Sequence, residues 1–167
     1  MTQSWDRIYT PHRLEYLRGA VTSEECPFCA APELNGSDTL DLVAHRGQLA
    51  YVVLNLYPYN AGHLLICPYR HVADYTELTN AERDEISRLT QESMHTLRAI
   101  SGAQGFNLGM NQGSISGAGI AAHLHQHVVP RWGGDANFMP IIGETKVLPQ
   151  LLTQTRDQLQ EGWISSH

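Results

Sequence analysis

The sequence predicts an α+β fold: a five-stranded antiparallel sheet that carries one long helix and is followed by a C-terminal helix. Three observations carry that expectation. Short β-rich runs follow one another across tight turns, the pattern of antiparallel neighbours and not of a doubly wound sheet. One long stretch has helical periodicity behind a capping signal. A length of 167 residues with 42% hydrophobic content fits a single domain with a substantial core.

The elements follow in chain order. Residues 1–38 mix Pro11, Gly19, Pro27, Pro32 and Gly36 with Cys26 and Cys29, and beyond a short helix at 12–19 they show little periodicity. They form an N-terminal segment of the same domain as the core at 39–142, with 143–167 as C-terminal helix and tail. Leu40–His45 and Ala50–Leu56 are β-rich and flank Arg46-Gly47-Gln48, a hairpin turn. Gly62–Cys67 is a third strand, stopped by Pro68. Thr79-Asn-Ala-Glu82 is a capping box, and Ile86, Leu89, Met94, Leu97 and Ile100 recur at helical spacing behind it. Residues 80–101 therefore form one amphipathic helix. Phe106–Asn111 is a fourth strand. A Gly/Ser loop over 113–119 leads to a fifth strand, His123–Val129, ended by Pro130. The last helix spans 149–160 from Pro149. A small single-layer sheet has edges to protect, which predicts a homodimer.

Composition narrows the function. No apolar run reaches the roughly 20 residues a membrane helix needs. The start, Met1-Thr-Gln-Ser-Trp-Asp, lacks the basic and apolar parts of a signal peptide, so a cytoplasmic protein is expected. Net charge is −6 and the 11 basic residues form no run, which argues against a nucleic-acid surface. A small anionic ligand remains compatible, because backbone N–H groups bind anions locally. Three cysteines argue against a disulfide scaffold.

Nine histidines stand out, and three of them alternate in His123-Leu-His125-Gln-His127. On a strand, alternate residues share a face, with Cα atoms about 6.6 Å apart. Leu124 and Val128 then face the core. Three imidazoles on one face suit a solvated polar strand, a three-histidine metal site, or nucleophilic catalysis in which one imidazole attacks and its neighbours orient it. A cupin-like metal site expects a carboxylate a few residues on, whereas Val128, Val129, Pro130 and Arg131 follow here. Nucleophilic catalysis fits better. Cys26-Pro-Phe-Cys29 is half a zinc site, a redox pair or two apolar residues. Cys67, inside a strand, reads as core. His12, His45 and His95 have no motif around them and read as surface residues.

At these residues the sequence resembles the histidine triad (HIT) family, and the resemblance runs from Cys26 to about Ile142. Leu54-Asn55-Leu56-Tyr57-Pro58 through Gly62-His63-Leu64-Leu65-Ile66-Cys67-Pro68 looks like the family's strand–turn–strand unit. Asn111 stands where the family has an Asn before its phosphate loop. Residues 130–138, Arg131-Trp132-Gly133-Gly134-Asp135 among them, resemble the branch that includes bacterial diadenosine polyphosphate phosphorylases. The resemblance implies a HIT-like fold, a dimer, and nucleotidyl transfer at an α-phosphate through a nucleotidyl-histidine intermediate. His125 matches the nucleophile, His127 the residue on the scissile phosphate and bridging oxygen, and His63 the relay behind the site. Asn55 matches the residue on the nucleotide ribose. Gly117 and Gly119 would let N–H groups approach the phosphates. Many bacterial relatives also bind zinc through an N-terminal Cys-x-x-Cys and two histidines, which implies Cys26, Cys29, His71 and His123 as ligands of a structural Zn²⁺. Trp132 has two readings, base stacking or core packing, and Arg131 has two, phosphate binding or surface capping.

This sequence departs from the family at Gly119 and Ile120, where side chains that contact phosphate often stand. Phosphate contacts then lean on backbone N–H groups, Asn111, or Ser114 and Ser116. Three readings compete: phosphorolysis of dinucleoside polyphosphates, hydrolysis of these or of nucleoside phosphoramidates, and a nucleotide-binding module without turnover.

Overall fold

A computed structural model describes residues 26–34, 41–135 and 150–166. The expected helix at 12–19, His12 and residues 136–149 lie outside it. Five strands make one antiparallel sheet in the order β1-β2-β3-β5-β4: β1 Val43–Arg46, β2 Ala50–Leu54, β3 Leu64–Pro68, β4 Gly105–Met110 and β5 Gln126–Arg131. The helices are a single turn, α1, at Pro27–Ala30, the long α2 at Asn80–Ser101, and α3 at Leu152–Glu161. Among the described residues no helix is long and apolar enough to cross a membrane.

The β1–β2 hairpin turns at Gly47, whose N–H donates to Ala50 O at 2.9 Å. A Cβ there would sit 2.7 Å from both Ala50 O and Glu85 Oε1, so only glycine fits. The Glu85 carboxylate, reaching from α2, accepts from the N–H groups of Gln48, Leu49 and Ala50 and so fixes the turn to the helix. Strands β2 and β3 are buried along their whole length and pair Tyr51 with Cys67 and Val53 with Leu65. Cys67 is core, as expected.

Helix α2 spans the predicted residues and begins with the predicted capping box. Thr79 Oγ1 accepts from Glu82 N–H at 3.2 Å, and Thr79 N–H donates to Glu82 Oε2 at 2.8 Å. Arg70, with help from Thr79, holds the Glu82 carboxyl at about 2, well below the usual carboxylate range. Gly102 ends the helix at a φ of 64°. The buried face of α2 is more polar than the apolar spacing implied, because Glu92, Ser93 and Thr96 also lie inside. The C-terminal segment satisfies two of them. Ser166 N–H and Oγ each donate to Glu92 at 2.8 Å, and Ile164 N–H donates to Thr96 Oγ1 at 3.0 Å. Helix α3 is tied to β1 through Arg156, which donates to Asp41 O, and Gln160, which donates to Val43 O.

Several expectations change: β1 starts at Val43, β2 ends at Leu54, β3 starts at Leu64 and includes Pro68 instead of stopping before it, and the last helix starts at Leu152. His45 is not a free surface residue: it is half-buried and stacks on Trp163, ring centroids 4.4 Å apart at 5°, and burial lowers its pKa. The fifth strand starts three residues later than expected and runs through Pro130 to Arg131. The chain at 123–125 is diverted from the ladder, since Leu124 N–H donates to Val72 O at 2.7 Å, beyond the end of β3. Pro130 fits inside β5 because β3 has stopped pairing at Val128, so no ladder bond to β3 is lost there.

Candidate active site

The histidines of the triad motif do not lie in one row. His123 and His125 precede β5, and only His127 sits in the ladder, opposite Leu65 of β3 and Gly109 of β4. Leu124 and Val128 are buried in the core, as the alternation predicted.

His123 turns away from the other two. It is 1% exposed, its Nε2 lies 2.9 Å from Pro68 O, and its Nδ1 is 3.4 Å from Cys26 Sγ and 3.5 Å from Cys29 Sγ. A carbonyl only accepts, so Nε2 carries the proton and Nδ1 presents a lone pair to the thiols. His71 Nδ1 approaches Cys29 Sγ at 3.3 Å. The four side chains Cys26, Cys29, His71 and His123 bring one donor atom each to within 4.8 Å of one another. That group could hold a metal ion.

His125 and His127 face each other, with ring centroids 5.0 Å apart at 71°. His125 is 7% exposed, and its Nδ1 lies 2.9 Å from His123 O. By the same logic Nδ1–H donates, and the lone pair is on Nε2. Burial pushes the His125 pKa down, against the opposing pull of that hydrogen bond, so the ring is neutral at pH 7. Phe28 packs on it at 4.9 Å and on His123 at 5.6 Å.

His63 is fully buried behind His127, its Nε2 2.9 Å from His127 Nδ1. Its own Nδ1 accepts from Tyr59 N–H at 3.0 Å, with Asn55 Nδ2 at 3.2 Å. Asn55 Oδ1 is occupied by Tyr57 N–H at 3.0 Å, which turns the amide nitrogen toward His63. Those donors leave the His63 proton on Nε2, from where it is donated to His127 Nδ1. The proton of a neutral His127 is then on Nε2. Tyr57, Asn55, Tyr59 and His63 thus set the tautomers of the His63–His127 pair.

Asn111, half-buried, comes directly after β4, one residue past the last ladder pair Met110–Gln126. The loop that follows is exposed and turns at Gly113 and Gly117, with φ of 77° and 81°. Gly119 is not among the left-handed glycines, and Gly113 was missed. Trp132 is half-buried against the core, and its Nε1 donates to Ser101 O at the end of α2, 3.0 Å away. Arg131 caps a surface, bonded to Asp135 and Asn107. Sequence reasoning also missed Phe28 and Tyr59, whose ring lies 4.7 Å from His63 and 5.6 Å from His127. The signal for Phe28 was its place inside the cysteine pair; Tyr59 had none beyond its turn.

The HIT domain model matches residues 41–134. A protein named AP-4-A phosphorylase from Mycobacterium tuberculosis is 47% identical over 165 residues, which covers 94% of this chain and 84% of that one. A Zn-bound histidine triad family protein from Mycobacterium smegmatis has the same fold, with a TM-score of 0.65 at 22% identity over 83% of this chain and 92% of its own. A hypothetical histidine triad nucleotide-binding protein from Sulfolobus tokodaii gives a TM-score of 0.66 at 24% identity, covering 82% of this chain and 91% of that one. Sheet order, the histidine motif and the sequence match agree: the chain belongs to the HIT domain family.

Proposed function

We propose that the chain is a nucleotidyltransferase that cleaves dinucleoside polyphosphates at an α-phosphate, with phosphate as the second acceptor. The observation that carries the reading is the hydrogen bond from His125 Nδ1 to the His123 carbonyl, because it leaves a lone pair on Nε2 of a buried, neutral imidazole beside His127. The AP-4-A phosphorylase of M. tuberculosis, 47% identical, supports the substrate class.

In this mechanism His125 Nε2 attacks the α-phosphorus of diadenosine tetraphosphate. The bond from phosphorus to the bridging oxygen breaks, and its electron pair leaves with ATP. His127 Nε2–H donates a hydrogen bond to that oxygen as its charge develops. The ring of His125, now bonded to AMP, carries a positive charge that the His123 carbonyl stabilises through Nδ1–H. That charge makes it a good leaving group. Phosphate then attacks the same phosphorus, the electron pair returns to Nε2, and ADP departs. Asn55 is assigned to the ribose, and Asn111 with the backbone around Gly117 and Gly119 to the phosphates.

Cys26, Cys29, His71 and His123 would hold Zn²⁺. Tetrahedral Zn–S and Zn–N bonds of about 2.3 and 2.0 Å put neighbouring donors roughly 3.5 Å apart. The sulfur–nitrogen separations of 3.3 to 3.5 Å match, and the His123 Nε2–H to Pro68 O bond is the usual outer support of a metal-bound imidazole. Bound there, zinc supplies no chemistry at the phosphate; it joins residues 26–29, as part of the same domain, to the segment that carries His125. The chain would work as a homodimer, supported by β4 at the sheet edge with Leu108 49% exposed. Light scattering at micromolar concentration should give twice the mass of one chain, and a monomer mass refutes this.

Mass spectrometry of products tests the reaction. Incubation of diadenosine tetraphosphate with the protein should give ADP and ATP when phosphate is present. AMP and ATP with equal speed in its absence would mean hydrolysis, and unchanged substrate under both conditions would leave only a binding role.

A further inference from the structure

We propose that Tyr59 is a positioning residue for the His63–His127 pair, held in place by a clasp between Asn60 and Asp135. This rests on the reading of His127 given above. Residues 55–63 connect β2 to β3 across the surface, where a loop is ordinarily mobile. This one is tied at its base and near its tip. Asn55 N–H donates to His63 O at 2.9 Å, and His63 N–H to Asn60 O at 3.1 Å. The Asn60 side chain donates to Pro130 O at 3.0 Å and to Asp135 Oδ2 at 2.8 Å, which pins the loop to the far end of β5.

Asp135 is itself well anchored. Its carboxylate accepts from Arg131 Nε at 2.7 Å, from a second Arg131 nitrogen at 2.8 Å, and from Trp132 N–H at 3.1 Å. Arg131 keeps the Asp135 carboxyl far below the usual carboxylate range, so it is an ionised acceptor at neutral pH. The segment Arg131-Trp132-Gly133-Gly134-Asp135 thereby gains a part in the site that its distance from the histidines would not suggest. It is a bracket, and Asn60 is the arm between it and the loop.

Held this way, Tyr59 acts on the histidine pair through two independent groups. Its backbone N–H donates to His63 Nδ1 at 3.0 Å and keeps the His63 proton on Nε2. Its ring lies nearly parallel to that of His127, at 18° and 5.6 Å, and also covers His63 at 4.7 Å. A flip of His127 about its outer bond would exchange Nδ1 for a carbon and break the bond from His63. A flat ring stacked on the imidazole opposes that flip. Tyr59 is 42% exposed, so core packing does not explain a large aromatic residue here.

Three variants and two readouts test the proposal. Tyr59→Ala keeps the backbone N–H and removes the ring. It should lower kcat on diadenosine tetraphosphate about 10- to 100-fold while KM stays within about twofold, the scale expected for a displaced catalytic group. Tyr59→Phe keeps the ring and should restore most of that rate. Asn60→Ala should reproduce the loss of kcat. The second readout needs no substrate. Nitrogen-15 imidazole spectra should show single Nε2–H tautomers for His63 and His127 in the native chain, and an exchanging mixture at His127 in Tyr59→Ala. Unchanged imidazole spectra in Tyr59→Ala overturn the proposal whatever the rate, and so does a Tyr59→Phe variant as impaired as Tyr59→Ala. If the native chain does not turn over the substrate, the functional reading fails and the spectra alone decide the positioning role.

Discussion

His125→Ala and His125→Asn should lose turnover of diadenosine tetraphosphate by several orders of magnitude, the scale on which enzymes lose rate with their covalent nucleophile. The loss should fall on kcat, because in the proposed mechanism the group removed is the one that bonds to phosphorus. The fold survives. His125 contributes one hydrogen bond to a backbone carbonyl and ring contacts with Phe28 and His127, and it is not a member of the hydrophobic core cluster. Their removal costs about 1–3 kcal/mol, which leaves a domain of this size folded at room temperature. Steady-state kinetics beside a thermal melt checks both halves. A well-folded variant with near-normal kcat would remove the nucleophilic mechanism altogether.

Zinc removal should act on stability before chemistry. Purified under metal-replete conditions without chelator, the protein should carry about one zinc per chain, since structural sites of this donor type bind zinc with large apparent free energies. The four donors join α1 to residues 71 and 123, the latter 97 positions away from Cys26. A cross-link over that span constrains the unfolded chain strongly. Cys26→Ser and Cys29→Ser should therefore lower the unfolding temperature by several degrees, while kcat falls by less than about tenfold because a zinc held there would lie outside the reacting groups. Metal analysis that finds no zinc sinks the assignment. A kcat loss as large as that of His125→Ala, with stability unchanged, would move the metal into the chemistry.

Much of this was legible along the chain because it depends on near neighbours. The capping box at Thr79 and Glu82 needs only four consecutive residues, and helix α2 has the predicted bounds. The strand positions followed from β-rich runs and turns. Their ends moved by one to three residues, because strand ends are set by which partner is still present to pair with. The fifth strand shows this. Alternation placed His123 inside it, but the bond from Leu124 to Val72 O and the bond from His123 to Pro68 O draw that stretch out of the ladder. His45 was read as surface because nothing near it in sequence foretells Trp163, 118 positions later, stacked against it. The polar residues inside α2 have the same explanation. Glu92 and Thr96 are tolerable in the core because the C-terminal segment brings donors to both, beside the one that Arg88 gives Glu92.

By itself the sequence determined the antiparallel sheet, the long helix, the three alternating histidines and the donor types of a metal site, since periodicity, capping and residue chemistry are local properties. The tertiary structure decided what each imidazole can do. His123, His125 and His127 are the same side chain at equal spacing, yet one faces two thiols, one keeps its Nε2 lone pair, and one accepts a hydrogen bond from His63. A ring nitrogen is donor or acceptor according to the atom opposite it, and the atoms opposite these three come from Cys26, a backbone carbonyl and a buried histidine on another strand connection. Those partners are fixed by folding alone, because the physical meaning of a histidine lies in its hydrogen-bond partner and not in its place in the chain.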